Sequence, residues 1–292
     1  MKLSVALCTY NGAPYIREQL DSILQQRVAV DEIVVCDDGS TDDTLEMLNE
    51  YVRKNPRLFN IIKNSSTLGY AKNFEKALRL ATGEIIFLSD QDDIWKPDKT
   101  EVMKSVFAKD HSVMAAAHNI QILENGREKT GSFWNREGFK KNYSNVEILK
   151  YVVLKGNVFP GMTLAIRSDF KKKLLPFKHF SPLIIHDYEI VIQSCKENSF
   201  RMVDVPLSCY RLHDGQNIGF GLGKTNVISL PSLFIKRKTL SETKKLVLDF
   251  GLPTQFIDEN LKDYGILKEN YLAQFSGLNK VMEYLKLKYY KL

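Results

Sequence analysis

"GEIIFLSDQDDIW", residues 83–95, decides the fold. Its apolar core, Ile85 to Leu88, is too short for a helix. Bounded by Gly83 and by a polar cluster, it reads as a strand buried on both faces. Strands of that kind belong to parallel sheets, whose crossovers are helical. The strand ends in Asp90, Asp92 and Asp93, then Trp95. Carboxylates this close repel one another and add nothing to a core, so the strand delivers them to a site.

The chain before it alternates in the same way. "KLSVALCT" (2–9), "EIVVCDD" (32–38) and "LFNIIKN" (58–64) read as strands. Between them "APYIREQLDSILQQ" (13–26), "TDDTLEMLNEYVRKN" (41–55) and "YAKNFEKALRLATG" (70–83) carry apolar residues at helical spacing, among them Ile16, Leu20, Ile23 and Leu24. Ser40 or Thr41 is placed to cap the second helix, with acids in its first turn. This predicts an α/β fold with a mostly parallel central sheet flanked by helices, and chemistry at the strand C-terminal ends.

Beyond residue 110 the pattern loosens. "SVMAAAHNIQIL" (112–123) and "MTLAIR" (162–167) read as strands, and "SNVEILKYVVL" (144–154) and "DYEIVIQSCKEN" (187–198) as helices. "FRMVDVPLSCYRLH" (200–213) reads as a strand pair or one long edge strand bent at Pro206. Strand signals then stop. A boundary near Gly223 divides a domain of residues 1–223, with halves of about 1–110 and 111–223, from an extension of residues 224–292. The segments 231–251, 253–275 and 278–292 read as amphipathic helices.

Bulk properties exclude several classes. The 292 residues are 44% hydrophobic and 26% charged, within the globular range and without low-complexity segments. Cys8, Cys36, Cys195 and Cys209 make no C-x-x-C pair and read as buried thiols. No stretch approaches the roughly 18 apolar residues of a membrane span, and the N-terminus lacks a signal-peptide pattern, so a cytoplasmic protein is expected. Net charge is +6, and residues 224–292 hold 12 Lys and Arg against 7 Asp and Glu. The basic excess therefore sits in the extension, as a solvated face or a contact with an anionic surface.

Three polar clusters each follow a strand: "TYNG" (9–12), "DDGS" (37–40) and "SDQDD" (89–93). In a parallel sheet those ends share one rim, so the clusters converge. Asp90 and Asp92 form an Asp-x-Asp pair, whose joint ionisation calls for a cation. Oxygen ligands of this kind suit Mg2+ or Mn2+ completed by substrate phosphates. Asp-x-Asp alone is a weak signal, and a solvated turn with capping acids, Asp93 and Asp98 among them, is the bland alternative. By itself Asp187 reads as an N-cap, His213 as a loop histidine and Arg211 as a carboxylate partner. Trp95 is either a core residue or a platform facing a sugar. Gly161 marks a tight turn or a close approach to a ligand.

Taken together, "SVALCTYNGAPYIREQLDSILQQ", "IVVCDDGSTDDT", "GYAKNFEKALRLATGEIIFLSDQDDIWKPDK" and "YRLH" resemble family 2 glycosyltransferases of the GT-A fold over roughly residues 2–220. "DQDDIW", "HDYE" and "YRLHDGQNIG" are most similar to bacterial rhamnosyltransferases and related enzymes of cell-surface polysaccharide, capsule and cell-wall synthesis. The resemblance implies a metal-dependent, inverting hexosyltransferase using a UDP- or dTDP-linked sugar and a glycan or lipid-linked acceptor. It places Thr9, Tyr10, Asn11, Asp38, Lys72, Asn73, Asp90 and Gln91 at the nucleotide, with Asp38 reading the imide N–H of uracil or thymine. It places Asp92, Asp90 and His213 at Mn2+ or Mg2+, and Asp187 as the base. Arg211, Trp95, Gly161 and His186 are candidate diphosphate or acceptor contacts. The commoner motif has an acid where this chain has His186.

Two other readings compete. A nucleotidyltransferase would carry a Gly-rich basic loop after the first strand, where "TYNGAPY" has one glycine and no lysine. A non-catalytic nucleotide-sugar-binding subunit is opposed by the intact set Asp38, Asp90, Asp92 and Asp187. No nucleic-acid partner is expected, because the basic-aromatic surface motif is absent. "KVMEYLKLKYYKL" (280–292) is expected to lie on the inner face of the membrane, to pack on the core or to form a homodimer.

Overall fold

Apolar runs between glycines and polar clusters become strands here because both sheet faces are covered. β1 (Leu3–Thr9) is buried along its whole length, and so is β4 (Ile85–Ser89). The computed structural model describes residues 1–178, 185–213 and 251–274, with 244, 247, 248, 276, 277, 280, 282–284 and 287.

The first half runs β1, α1 (Ile16–Leu24), β2 (Glu32–Asp37), α2 (Thr44–Lys54), β3 (Phe59–Lys63), α3 (Tyr70–Leu80), β4, β5 (Ile94–Trp95) and α4 (Lys99–Lys109). The second runs β6 (Ala115–Glu124), β7 (Arg127–Glu128), α5 (Phe133–Arg136), α6 (Asn145–Lys155), β8 (Leu164–Arg167), α7 (Lys171–Leu174), α8 (His186–Lys196) and β9 (Phe200–Leu212). α9 (Gln255–Leu272) follows in the C-terminal part.

The sheet has the order β3-β2-β1-β4-β8-β6-β9-β5, with β7 beside β6. β3, β2, β1 and β4 are mutually parallel, as the alternating first half predicts. β8 is antiparallel to both β4 and β6, so the second half is mixed. One face of β1, β2 and β4, including Val5, Leu7, Ile33, Val35 and Phe87, buries against Ile16, Leu20 and Ile23 of α1 and Met103 and Phe107 of α4. α3 packs on β1 and β2 through Phe74, Ala77 and Leu78, and α8 packs on α3, β6 and β9.

The stretch 200–213 is one strand rather than a pair. β9 runs parallel to β6 with register shifts around Asn119, and Pro206 sits opposite that irregularity. Proline has no N–H to give to a ladder, so the break in register falls where it costs least. α2 starts at Thr44, later than the expected cap at Ser40 or Thr41. Asp42 accepts from the Thr44 amide at 3.1 Å, whereas Ser40 turns back to Asp37 at 2.5 Å. All four cysteines are buried free thiols.

Residues 1–152 with 157–217 form one compact unit. Val153–Gly156 with Ile218–Leu292 form a second. In the latter, Tyr271 and Leu287 are buried with Tyr264, Leu267 and Leu272 packed around them, and Lys155 pairs with Asp263 at 3.1 Å. The expected boundary at Gly223, most of the helix expected at 231–251 and much of 280–292 lie outside the described residues. Among the described residues no helix is long and apolar enough to cross a membrane.

Candidate active site

The three polar clusters meet at the C-terminal ends of β1, β2 and β4. After β1 the chain turns sharply at Asn11, whose φ is 48°. Asparagine tolerates that left-handed conformation better than most residues. The turn directs the Asn11 amide to Ser40 Oγ at 2.9 Å and its side-chain oxygen to the Thr41 amide, also 2.9 Å. Gln91 joins the ends of β4 and β1 by a paired bond with the Tyr10 backbone, at 2.8 and 3.0 Å. Thr9 Oγ1 donates to Asp37 at 2.8 Å. Tyr10 and Lys72 remain exposed at the rim.

Asp38 and Asn73 shape this rim from beneath. Asp38 is 4% exposed and accepts from the amides of Leu68 and Gly69 at 2.7 and 2.8 Å and from Asn64 at 2.8 Å. A carboxylate just after β2 thus holds the N-terminus of α3, where the helix dipole favours it. Asn73 is 2% exposed, accepting from Asn64 at 2.8 Å and donating to the Cys36 carbonyl at 2.7 Å. Asn64 links the two and had no motif of its own in the sequence.

The DQDD segment divides into different environments. Asp90 is half-buried at the floor of the site. Burial, then the Asp92 and Asp187 carboxylates, push it up to about 7, against a Met162 amide bond that favours its charged form. Asp92 Oδ2 lies 3.0 Å from His213 Nε2, and the His213 ring lies against Tyr15 with centroids 4.4 Å apart. Asp93 is not a solvated cap. It is 2% exposed, accepts from the Arg211 amide at 3.3 Å, and is held well above the usual carboxylate range by burial and then by Asp92 and Asp90. Asp98 precedes α4 and pairs with Arg27 at 2.5 Å.

The other wall comes from the second half of the sheet. Asp187, in the first turn of α8, is buried, and that burial raises it to about 7 despite bonds from the Tyr188 amide and the Asn157 side chain. The Tyr188 bond is 2.7 Å. Asn157 donates its own amide to the Tyr188 hydroxyl at 2.8 Å, so the segment around Asp187 is braced from both sides. His186 stacks on Phe74 with centroids 4.3 Å apart. Gly161 opens a tight turn before β8. A Cβ there would lie 3.0 Å from His186 Nε2 and 3.8 Å from Asp90 Oδ2, so its close approach is to the site's own wall.

One expected contact is corrected, and another is described by its present partners. Trp95 is a core residue: it is 2% exposed and packs on Phe87 with centroids 5.6 Å apart. The apolar face of the sheet takes the indole, which removes it from acceptor or diphosphate contact. Arg211 is tied to the acidic segment itself, donating to the Asp92 carbonyl at 2.9 Å and pairing with Glu18. Lys99, which no sequence signal marked, is fully buried beneath the cluster. Its Nζ donates to the Met162 carbonyl at 2.8 Å and stands 3.6 Å from the Trp95 ring centroid.

Among the described residues no three His, Cys, Asp or Glu side chains converge as a complete cation site. The donor set is smaller: Asp92 beside His213, with Asp90 adjoining. That fits Mg2+ or Mn2+, which take one or two carboxylates from a protein and complete their shell with phosphates. It also fits Asp90, whose high protonation a cation would reverse.

Residues 4–171 match the model of glycosyl transferase family 2. An uncharacterised glycosyltransferase of Nostoc sp. is 27% identical over 100% of this chain and 83% of its own. The dTDP-rhamnosyl transferase RfbG of Shigella flexneri is 28% identical over 73% of each chain. The chondroitin synthase of Escherichia coli is 31% identical over 70% of this chain, which spans 32% of that protein. Among solved structures, Staphylococcus aureus TarS 1–349 in complex with UDP-GlcNAc aligns with a TM-score of 0.63 at 20% identity, covering 90% of this chain and 71% of that one. The mannosyltransferase PcManGT of Pyrobaculum calidifontis, in complex with GDP-Man and Mn2+, aligns with a TM-score of 0.60 at 19% identity, covering 100% and 81%. The fold is of the GT-A type. The chain belongs to glycosyl transferase family 2 and is a glycosyltransferase.

Proposed function

We propose that this enzyme moves a sugar, rhamnose being the favoured one, from a UDP- or dTDP-linked donor to a hydroxyl of a cell-surface polysaccharide or lipid-linked acceptor, with inversion at C1. The observation that carries the transfer step is the Asp187 carboxyl, buried in the first turn of α8 with the Tyr188 amide on it at 2.7 Å, raised to about 7 by that burial and close enough to Asp90 for their charges to interact. A base poised near neutral pH takes a hydroxyl proton effectively. The acceptor oxygen attacks C1, the bond from C1 to the diphosphate oxygen breaks, and the hydroxyl proton passes to Asp187. A single displacement of this kind inverts C1 and requires no covalent sugar intermediate.

Thr9, Tyr10, Asn11 and Gln91 line the nucleoside in this reading, Asp38 reads the base, and Lys72 with Asn73 lies nearest the diphosphate. Asp92, with Asp90 and His213, holds Mn2+ or Mg2+, which supplies charge neutralisation on the leaving diphosphate. His186 and Gly161 border the acceptor side. The similarity to a dTDP-rhamnosyl transferase supports the sugar, and the UDP-GlcNAc and GDP-Man complexes of the structural neighbours support a nucleotide-sugar donor. Residues 224–292 act as a basic helical extension that meets the inner membrane face or a second copy of the chain.

The test is a panel of UDP- and dTDP-sugars with Mn2+, read by thermal shift and by donor hydrolysis. A shift of several degrees with one donor class, together with slow hydrolysis, is expected. No response to any donor would overturn the proposal.

A further inference from the structure

Lysine is almost never fully buried without an ion-pair partner. Lys99 opens α4 with no exposed surface, and its hydrogen bonds go to a carbonyl and a hydroxyl, Met162 O at 2.8 Å and Ser208 Oγ at 3.3 Å. Its Nζ also stands over the Trp95 ring, 3.6 Å from the centroid. A methionine or leucine would fill the same volume without desolvating a charge. What the lysine adds is a hold on Met162, whose backbone amide faces Asp90 closely enough to favour its charged form. Met162 lies in the turn Gly161–Thr163, between β8 and the segment that carries Asn157. That turn also touches His186, since a Cβ on Gly161 would come within 3.0 Å of its Nε2.

We infer that Lys99 is a positioning residue: by gripping the Met162 carbonyl from below it fixes the turn that holds the Asp90 carboxylate toward the place where a cation would meet the donor diphosphate. The assignment of Asp90 to the cation rests on the glycosyltransfer reading above; the grip on Met162 does not. Lys99 touches no substrate in this role. The electrostatic influence of Lys99 reaches Asp90 and Asp93, and its hydrogen bonds go to Met162 and Ser208, neither of them on the nucleoside rim. Its loss therefore falls on the chemical step more than on donor capture.

The test compares full-length wild type, Lys99→Met and Lys99→Arg in two measurements. Hydrogen–deuterium exchange follows the Met162 amide, with Ala165 and Ile166 of β8 as internal references. Steady-state turnover is read with the UDP- and dTDP-sugar panel and Mn2+. Lys99→Met is expected to speed Met162 exchange about 10-fold or more with the references unchanged. It is expected to lower kcat about 10-fold or more with donor KM within about 3-fold, and Lys99→Arg to recover part of both. Unchanged Met162 exchange overturns the inference. So does loss of protection throughout β1 and β8, which would make Lys99 a folding residue only. If the wild type turns over no donor, the sugar-transfer reading fails, and the exchange result still decides whether Lys99 holds the turn.

Discussion

Asp187 illustrates how burial shifts a carboxyl toward neutral pH, as its proposed role as a base requires. Its neighbours stabilise the carboxylate through the Tyr188 amide and Asn157, yet desolvation outweighs them and the group titrates at about 7. Asp187→Asn keeps the shape and removes the proton acceptor. Transfer is expected to fall by about 10²-fold or more while UDP affinity in Mn2+ stays within about 3-fold, checked by turnover and calorimetry. Wild-type turnover in the variant would remove Asp187 from the base role. The same substitution carries a stability signature. An aspartate with a folded pKa near 7 and an unfolded one near 3.8 binds more protons when folded. Its favourable contribution is complete below the unfolded value and is lost as pH rises through about 7. The melting advantage of Asp187→Asn over wild type should therefore grow from about pH 4 to 7 and level above it, reaching on the order of 5 °C by thermal melts. A difference independent of pH would contradict the buried titration. Asp187 itself was legible only through its resemblance to a motif, because an aspartate opening a helix is ordinarily a cap.

At the scale of elements, the sheet brings its polar ends together because β1, β2 and β4 are parallel and in register, and one small residue lets β4 lie beside β1. Gly83 enters β4 beside β1, where a Cβ would lie 2.7 Å from the Ser4 amide nitrogen and 3.0 Å from the Lys2 carbonyl. Backbone atoms cannot step aside as a flexible side chain can. Gly83→Ala is expected to destabilise by about 1–3 kcal/mol in chemical denaturation, with donor affinity little changed in the folded fraction. A neutral effect would mean that the strand pair yields more easily than its geometry indicates. The β-α alternation up to β4 was readable because each strand is buried on both faces and each helix has one apolar stripe. β9 was readable only as two alternatives. Pro206 signals a bend, but whether the strand continues depends on β6 shifting register beside it.

For the whole molecule, the charge asymmetry matters most. The extension carries 12 Lys and Arg against 7 Asp and Glu, while the preceding residues are nearly balanced. On the proposed membrane reading, removal of residues 280–292 should reduce co-flotation with anionic liposomes by about 5-fold or more and restore little on neutral ones. Equal flotation of both forms would end that reading. By itself the sequence determined the alternating first half, the acidic rim at its strand ends and the buried thiols, since all three follow from local periodicity and burial preference. Only the tertiary structure decided that β8 enters between β4 and β6, that Asp90 and Asp187 share one floor, that Trp95 belongs to the core, and that Lys99 lies buried under the carboxylates. Those facts depend on which distant segments become neighbours. Strand order and helix packing set that choice, and no local pattern of hydrophobicity records it.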